Sequence, residues 1–533
     1  MLRAWAGAIA VALSAGPAAA DEAGSGALAF ATAAEQQAAM AAGRATSRSL
    51  VRLYLDRIEA IDRKGPALRS VLAINPDALK SASARDAERK AGGASGGLHG
   101  LAVLVKDNIE TADPLPTTAG SLALKDNVTG RDAPLIARLR ASGAVILGKT
   151  NLSEWANFRS TRSISGWSGV GGLVRNPYGL DRSACGSSSG SGAAVAAGLA
   201  WAAIGTETDG SVTCPAAMNG IVGLKPTVGL VSRTHVVPIS ASQDTAGPMA
   251  RTVADAALLL TAMAGSDPAD AATAEADAHR ADFVAGLDAG ALKGARLGVL
   301  RTMAGRSPQT DAVFEAALET LKAAGAVLVE VTAVDEDPVD KAERIVMGVE
   351  FKAGINAYLA STPATVKTRT LDDLIAFNAA EPRETALFGQ EIFLEAAKAP
   401  GLADADYLKA LETGRRLAGP EGIDRVLAEA GAVALIAPSG GPASIVDPVN
   451  GSRWLGSPST LPAVAGYPHL TVPMGYVSGL PVGLSFIGAK WSDGRLLSLG
   501  YAFEQAAKVR VAPTFPGSVA ARPEFATAYA PAP

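Results

Sequence analysis

The segment GTETDGSVTCPAAMNGIVGLKPT, residues 205–227, is the stretch from which the fold and the chemistry of the chain are inferred. A glycine- and serine-rich turn within it is joined directly to apolar residues, without the length of a linker. Glycines let backbone N–H groups approach a ligand closely. A serine in such a turn has an accessible hydroxyl beside N–H groups that can hold an oxyanion. A second segment of this kind, CGSSSGSGAAVAAG, occupies residues 185–198, so both are candidates for nucleophilic catalysis.

Short apolar runs alternate with helical patterns along the chain. Helices are predicted at 46–63, 133–144 and 192–205. The predicted strands are 101–108, 145–147, 295–302, 326–332, 432–439 and 480–488. This alternation indicates an α/β fold with a mostly parallel or mixed sheet. Residues 335–420 are expected to be mainly helical and to wall the substrate site, and residues 266–282 to form a solvated linker or loose helix.

The first twenty residues have the order of a secretory signal. One early cation, Arg3, precedes an apolar stretch and then the small residues Ala18, Ala19 and Ala20. This pattern predicts a signal peptide at 1–20, cleavage after Ala20, and a periplasmic or secreted mature chain. The apolar stretch is too short for a stable anchor and no other stretch is long enough, so no stable membrane association is expected.

Composition excludes several classes of function. The chain of 533 residues has a formal net charge of −4 and 5% aromatic residues, so no basic surface or stacking platform for nucleic acid is indicated. Two cysteines and four histidines occur in no metal-binding spacing, and no metal is expected. Cys185 and Cys214 are expected to be small buried apolar side chains, with a disulfide as the alternative if the fold brings them together.

Residues 143–150, GAVILGKT, match the pattern of a nucleotide-binding P-loop. In a P-loop the residues between the glycines form a flexible loop around phosphate. Here residues 144–147 are an apolar, largely β-branched run, which is typical of a buried strand. The match is therefore interpreted as accidental, and Lys149 as the end of a strand.

A serine nucleophile needs a base, and histidine is the usual partner. The four histidines occupy no evident catalytic setting (His99, His235, His279 and His469). A lysine can replace histidine if burial lowers its pKa far enough to keep the amine neutral. Lys106 is the leading candidate because it follows an apolar run at 101–105, while Lys225 and Lys149 remain rivals.

Three segments in this order, LAVLVKDN at 101–108 and the two glycine- and serine-rich segments, resemble the amidase signature family. Residues 242–260 and 461–488 resemble further landmarks of that family, so the likeness runs from about residue 40 to residue 510. It implies a single large domain over 21–533, with a central mixed β-sheet flanked by helices on both faces. The run GTETDGS followed by CPA resembles family members that act on peptide amides.

The resemblance implies a Ser–cis-Ser–Lys triad. Ser211 matches the nucleophile, Ser187 the bridging serine that follows a cis peptide bond, and Lys106 the base. The implied oxyanion hole consists of four backbone N–H groups, those of Thr208, Asp209, Gly210 and Ser211. Such an enzyme works through an acyl-enzyme intermediate and needs no metal or organic cofactor.

One departure from the family pattern bears on the substrate. Thr213 stands where several relatives have an arginine that helps to bind a substrate carboxylate, so an uncharged amide end suits this site. The resemblance therefore implies hydrolysis of carboxamides, foremost the C-terminal amides of peptides, with small aryl or aliphatic amides as the alternative.

Two other interpretations stay open from the sequence. The first is the amidase subunit of a tRNA-dependent amidotransferase, which export would separate from tRNA, ATP and its partner subunits. The second is a catalytically inactive binding protein on the same fold. The sequence makes no prediction of the oligomeric state.

Overall fold

The structure is a computed structural model that describes residues 26–523, except positions 95, 302, 303, 305, 333 and 450–454, together with residues 525 and 529. The predicted signal peptide at 1–20 lies outside these residues. Across the described ranges, none of the helices combines the length and the apolar character needed to cross a bilayer.

The described residues form fifteen strands, and eleven of these belong to one sheet. In chain order the strands are β1 (Val71–Ile74), β2 (Ala102–Lys106), β3 (Val145–Thr150), β4 (Trp167–Ser168), β5 (Gly172–Leu173), β6 (Arg175–Asn176), β7 (Gly179–Ser183), β8 (Ala202–Glu207), β9 (Val222–Lys225), β10 (Thr245–Ala250), β11 (Arg296–Leu300), β12 (Val327–Val331), β13 (Ala434–Pro438), β14 (His469–Val477) and β15 (Leu480–Ile487). The four remaining strands form two short hairpins, β4 with β5 and β6 with β7.

The large sheet has the strand order β1-β3-β2-β8-β10-β9-β14-β15-β13-β11-β12. The neighbours β3, β2 and β8 run parallel to one another, and so do β12, β11 and β13. Antiparallel pairs through β10, β9, β14 and β15 join these two parallel blocks. The sheet is therefore mixed, as predicted.

Sixteen α-helices are defined in the described residues. They are α1 (Ala33–Ala41), α2 (Ser47–Arg57), α3 (Ala78–Lys90), α4 (Pro134–Ala141), α5 (Ser189–Ala196), α6 (Thr213–Met218), α7 (Val253–Met263), α8 (Ala276–His279), α9 (Pro308–Ala323), α10 (Asp337–Ala360), α11 (Leu371–Ala380), α12 (Glu391–Ala396), α13 (Ala405–Ala418), α14 (Arg425–Ala430), α15 (Thr460–Ala465) and α16 (Asp493–Ala507). π-helical turns at Ile58–Arg63 and Gly419–Asp424 continue α2 and α13, and 3-10 turns lie at Leu122–Leu124, Glu154–Asn157, Ala271–Thr273 and Val519–Ala521.

Helices pack on this sheet, which confirms the predicted α/β class. The strands β2 and β3 are buried along their whole length and apolar except at their carboxyl ends, as expected for strands covered on both faces. Helix α7 packs against β10 and α4, and α16 packs against β14. Four helices begin at a threonine whose hydroxyl accepts a hydrogen bond from the first turn, at Thr32, Thr46, Thr252 and Thr370.

The middle of the sheet contains strands that the sequence pattern does not predict. Both β10 and β14 include a proline, Pro248 and Pro473, and β9 is only four residues long. A proline cannot donate a ladder hydrogen bond, so its presence argues against a central strand. The structure accommodates Pro248 opposite Ile204, and the register of β14 shifts just after Pro473.

The P-loop-like segment is a strand, which confirms its interpretation as an accidental match. Lys149 lies in β3 and is fully buried, where its Nζ donates to Ile109 O at 2.6 Å and to Thr117 Oγ1 at 2.8 Å. The carboxylate of Asp107 lies 3.5 Å away. Lys149 therefore lies near the end of a strand, as predicted, and it is a buried structural residue.

Residues 266–282 are more ordered than the linker that the sequence predicts. They contain a 3-10 turn and helix α8, and two aspartates fix them to the preceding segment. Asp270 forms an ion pair with Arg233 at 2.6 Å, and Asp267 accepts a hydrogen bond from Ser232 Oγ at 2.6 Å. The Ala/Asp-rich composition resembles a linker because the partners of these carboxylates are distant in the sequence.

The topology places the carboxyl ends of β2 and β8 next to each other. Because β2 and β8 are parallel neighbours, with Val105 opposite Ile204, their carboxyl ends lie at the same edge of the sheet. Lys106 is the last residue of β2, and Thr206 is the penultimate residue of β8. The turn that carries Ser211 begins from this edge, directly after β8.

Candidate active site

Lys106 is held inside the protein by hydrogen bonds to two residues. Its side chain is 0% exposed, and Nζ lies 2.7 Å from Ser187 Oγ and 2.7 Å from Thr206 Oγ1. A third contact joins Nζ to the carbonyl oxygen of Thr206 at 3.1 Å. The lysine and the bridging serine that the sequence predicts are therefore in direct contact.

Ser187 lies in the turn between β7 and α5, and it is fully buried. The peptide bond Gly186–Ser187 is cis, as the family resemblance implies. The carbonyl of Ser187 accepts a hydrogen bond from Ser153 N at 3.0 Å, and the next residue donates from Ser188 N to Ser211 O at 3.1 Å. This last bond connects the turn of Ser187 to the turn of Ser211.

Ser211 follows a left-handed glycine in the turn between β8 and α6. Gly210 has φ +74°, and a Cβ atom there would lie 3.0 Å from Ser459 Oγ, so glycine suits both the backbone and the space. Ser211 is 8% exposed and lines a pocket. Among the described residues, no acceptor takes the N–H groups of Asp209, Gly210 and Ser211. The turn therefore offers a hydroxyl and free backbone donors to the same cavity.

The pocket beside Ser211 has a volume of about 390 Å³. Its described lining residues are Ala156, Asn157, Phe158, Ser165, Cys185, Gly186, Thr208, Asp209, Gly210, Ser211, Cys214, Ile239, Met347, Ser457, Ser459 and Thr460. All four residues of the predicted oxyanion hole are included. Residues 335–420 are helical as predicted, but Met347 is the one described lining residue that they supply. Most of the wall instead comes from loops around the two turns and from residues 156–165 and 457–460.

Burial makes Lys106 a plausible base at neutral pH. Burial lowers the pKa of its amine from the usual 10.5 to about 7, and the negative charges of Asp244 and Glu207 oppose part of that shift. Burial also lowers the pKa of Lys225 to about 8 and lowers that of Lys149. A lowered pKa therefore does not distinguish the three lysines, whereas contact with Ser187 does.

The two rival lysines have other surroundings. Lys225 Nζ donates to the carbonyl of Pro226 at 3.3 Å, and Lys149 is bound to Ile109 and Thr117 as described above. Neither makes a described hydrogen bond to a serine. Of the three candidates, Lys106 is the one that the structure brings to the glycine- and serine-rich turns.

The histidines lie elsewhere, as expected. His99 is buried with Nε2 3.0 Å from Arg85 O, and His469 is buried with Nε2 2.6 Å from Ser485 Oγ. His235 faces Glu110, and His279 stacks on Trp491. In the described ranges, the acidic, histidine and cysteine side chains form no group of three that could hold a metal ion.

The sequence analysis missed several residues that support the turns. Thr206 contacts the Lys106 amine, and Asn108 Nδ2 donates to Thr206 Oγ1 at 2.9 Å. Asp244 accepts hydrogen bonds from Thr208 Oγ1 at 2.6 Å and from the N–H of Ile239 at 2.8 Å. All three stand inside segments that carry the family resemblance, KDN, GTETDGS and SQDTAGP, but nothing in one sequence shows which side chains meet.

Thr213 does not line the pocket in the described structure. It is buried, and its N–H and hydroxyl both donate to Glu207 Oε2, at 2.9 and 3.2 Å. The same carboxylate oxygen accepts from Val212 N at 2.7 Å. Thr213 therefore helps Glu207 to fix the start of α6, directly after Ser211.

The expectation of two unpaired cysteines is wrong. Cys185 and Cys214 form a disulfide with a Cα–Cα distance of 6.0 Å, and both residues line the pocket. Cys185 stands two residues before Ser187, and Cys214 stands three residues after Ser211. The bond therefore joins the two turns covalently, and the sequence could not show this because 29 positions separate the cysteines.

The disulfide is expected to stabilise the fold. Replacing both residues (Cys185→Ser with Cys214→Ser) should lower the free energy of unfolding by about 3 kcal/mol, because the unfolded chain is no longer closed into a loop. Denaturant unfolding with and without reductant measures this effect. Reductant should shift the midpoint of the parent protein and leave that of the double variant unchanged. Equal midpoints for the oxidised parent protein and the double variant would contradict a stabilising bond.

Comparison with known proteins gives the family. The family described as Amidase matches residues 49–497. The structure of native peptide amidase from Stenotrophomonas maltophilia is 52% identical with a TM-score of 0.85, over 91% of this chain and 98% of that one. A structure of peptide amidase in complex with the competitive inhibitor chymostatin is 53% identical with a TM-score of 0.88, over 90% and 98% of the two chains.

A relative from Arabidopsis thaliana, named "Probable amidase", is 41% identical over 485 residues, which is 89% of each chain. The matched segment includes both turns, the Lys106 strand and the later landmarks at 242–260 and 461–488. The chain therefore belongs to the amidase signature family and is an amidase, a hydrolase that acts on carbon–nitrogen bonds.

Proposed function

We propose that this amidase hydrolyses carboxamides, foremost the C-terminal amides of peptides, with Ser211 as nucleophile, Ser187 as proton bridge and Lys106 as base. The hydrogen bond of 2.7 Å between Lys106 Nζ and Ser187 Oγ carries the proposal. It joins a desolvated amine to the turn that is bonded to Ser211, at the edge of a pocket lined by free N–H donors.

Acylation begins with a proton transfer. Neutral Lys106 takes the hydroxyl proton of Ser187 while Ser187 Oγ takes that of Ser211, and Ser211 Oγ forms a bond to the amide carbonyl carbon. The carbonyl π electrons move to oxygen, and the N–H groups of Thr208, Asp209, Gly210 and Ser211 stabilise the oxyanion. Donors of this kind contribute roughly 3–4 kcal/mol each to the stability of such a transition state.

Collapse of the tetrahedral intermediate reverses the proton movement. Lys106 returns its proton through Ser187 to the amide nitrogen, the C–N bond breaks, and ammonia or an amine leaves. Water then attacks the ester carbonyl, its proton follows the same route, and Ser211 is regenerated with release of a carboxylic acid.

The character of the pocket supports an amide substrate over a free carboxylate. No cationic side chain is among the described lining residues, and the charged residue there is Asp209. Burial raises the pKa of Asp209 to about 6, so this carboxyl is mostly ionised at pH 7. A neutral carboxamide avoids repulsion from Asp209, whereas the carboxylate product experiences it. The peptide character of the substrate rests on the likeness to peptide amidase.

The direct test is ammonia release from a peptide amide. We expect Ser211→Ala to reduce turnover by several orders of magnitude while the thermal midpoint stays unchanged, because one small hydroxyl is removed. Ser187→Ala should lose most activity by breaking the proton bridge. Ser191→Ala is the matched control, since it removes a buried hydroxyl from the same glycine- and serine-rich segment.

A panel of peptide amides, amino-acid amides, anilides and aliphatic amides then defines the substrate. Faster turnover of anilides or aliphatic amides than of peptide amides would contradict the proposed substrate class and favour small aryl or aliphatic amides. A folded parent protein that releases no product from any of them would favour the inactive binding protein.

The pH profile tests Lys106. Because the amine must be neutral and its pKa is lowered to about 7, kcat/KM should fall tenfold per pH unit below pH 7 and reach a plateau above it.

Lys106→Ala should depress acylation by several orders of magnitude, and more for an amide than for a matched ester, since an amide nitrogen must be protonated to leave. Equal losses on amide and ester would argue against Lys106 as proton carrier, and inhibition by chelators would indicate a metal enzyme.

We also propose that the protein is exported and matures at Asp21. The order of residues 1–20 supports this, and so does the Cys185–Cys214 bond, since disulfides persist in oxidising compartments. N-terminal sequencing of the protein from the periplasmic fraction of a bacterial host should begin at Asp21. A chain that begins at Met1 and remains in the cytoplasmic fraction would contradict export.

A further inference from the structure

Three oxygen atoms surround the Lys106 amine. They are Ser187 Oγ at 2.7 Å, Thr206 Oγ1 at 2.7 Å and Thr206 O at 3.1 Å. Two of the three therefore come from one residue, Thr206, which is 8% exposed and stands near the end of β8. The proposed mechanism uses Ser187, and nothing so far gives the two oxygens of Thr206 a part in it.

The bonding capacity of the amine restricts how these contacts are used. A neutral primary amine has two N–H bonds and one lone pair. A carbonyl oxygen can only accept, so Thr206 O takes one N–H. Of the two hydroxyls, one must take the second N–H, and the other can donate its proton to the lone pair. The base is productive only if the lone pair faces Ser187, because Ser187 supplies the proton.

We propose that Thr206 is the positioning residue of the base: its carbonyl and hydroxyl oxygens accept both N–H bonds of neutral Lys106 and so aim the lone pair at Ser187 Oγ. The inference rests on the proposed function and deepens it. Thr206 does not contact the substrate in this scheme, and it acts through Lys106.

The same arrangement serves the protonated state. An ammonium group has three N–H donors, and the three oxygens around Lys106 provide three acceptors. A hydrogen bond to a charged group is stronger than a neutral one, and its loss in a buried site is more costly. Thr206 therefore stabilises the ammonium that forms when the base accepts its proton, in a place where water is excluded.

Asn108 holds the Thr206 hydroxyl in the accepting orientation. Its Nδ2 donates to Thr206 Oγ1 at 2.9 Å, and Asn108 is 3% exposed. Without this donor, the Thr206 hydroxyl could turn its own proton toward the amine lone pair and compete with Ser187. Ser188 fixes the backbone of Thr206, because its hydroxyl lies 3.1 Å from Thr206 O and 3.2 Å from Thr206 N.

The charged groups that act on Lys106 are Asp244, just before β10, and Glu207, the last residue of β8. Both carboxylates favour the ammonium, and burial opposes it. Removing the Thr206 hydroxyl leaves these charges in place and takes away one acceptor from the ammonium. The pKa of Lys106 should then fall further, so the acidic limb of the pH profile should move to lower pH.

The test compares Thr206→Val with Thr206→Ser. The valine variant keeps the shape and removes the hydroxyl, and we expect its plateau kcat to fall roughly tenfold to hundredfold with KM little changed. The midpoint of its acidic limb should also move below that of the parent protein. Thr206→Ser restores the hydroxyl and should return kcat to within about threefold of the parent, with the parent midpoint.

Thr117→Val is the matched control. Thr117 Oγ1 accepts from the other buried strand lysine, Lys149, at 2.8 Å, so this substitution removes the same kind of hydrogen bond away from the turns. It should lower the thermal midpoint and leave the pH profile unchanged. A shift of the acidic limb in Thr117→Val equal to that in Thr206→Val would show a general effect of destabilisation and overturn the inference.

A double-mutant cycle with Asn108→Ala completes the experiment. Asn108→Ala alone should lower kcat several-fold, and it should add little in the Thr206→Val background because its target oxygen is gone. Additive losses, or a Thr206→Val variant with parental kcat and midpoint, would overturn the inference. If Thr206→Val does not fold, the pH profile of Asn108→Ala is the test. A profile identical to that of the parent protein would then count against the inference. Full activity of Lys106→Ala would instead refute the proposed function itself.

Discussion

The contact between a desolvated lysine amine and a serine hydroxyl is the constraint on which the rest of the structure depends. Lys106 can be neutral near pH 7 only where water is excluded, and this requires a strand covered on both faces. The parallel neighbours β3 and β8 enclose β2 on either side in the sheet. The amine of Lys106 is the polar group at the end of the otherwise apolar strand β2. The turn that carries Ser187 contacts this amine and is hydrogen-bonded to the turn that carries Ser211.

Burial alone does not select one base, because three lysines are fully buried. The contacts of their amines distinguish them. Lys149 and Lys225 are as buried as Lys106, and their pKa values are lowered too. Lys149 faces the carboxylate of Asp107, and Lys225 faces a backbone carbonyl. What distinguishes Lys106 is its neighbour, a hydroxyl that can both give and receive a proton. The proposed assignment of the base therefore rests on the pairing of side chains and not on desolvation alone.

Much of the fold could be predicted from periodicity. The runs at 101–108 and 480–488 contain strands that are buried along their whole length, because mainly apolar segments suit a sheet covered on both faces. The central strands β10 and β14 could not be predicted, since their prolines contradict the local rule and only the pairing partners compensate. Residues 266–282 were misjudged for a related reason: their aspartates are held by Arg233 and Ser232, which composition does not reveal.

The residues of the candidate site could be proposed from the sequence where they lie in local motifs. The resemblance to the family points to Lys106, Ser187 and Ser211, and the structure brings the first two into contact and the third to the adjoining pocket. The disulfide, the Thr206 oxygens and the loops that wall the pocket depend on distances across the fold. No single-sequence pattern encodes such distances, so these features required the structure.

The burial of Lys106 has a consequence for the life of the polypeptide before it is folded. In an unfolded chain the amine has an ordinary pKa near 10.4 and is protonated at neutral pH. It therefore cannot serve as a base, although every residue of the machinery is already present in the sequence. In the proposed mechanism, closure of the sheet converts a protonated amine into a base, so hydrolytic activity depends on folding itself. In that mechanism an unfolded chain has no hydrolytic activity, because only the tertiary structure desolvates the amine.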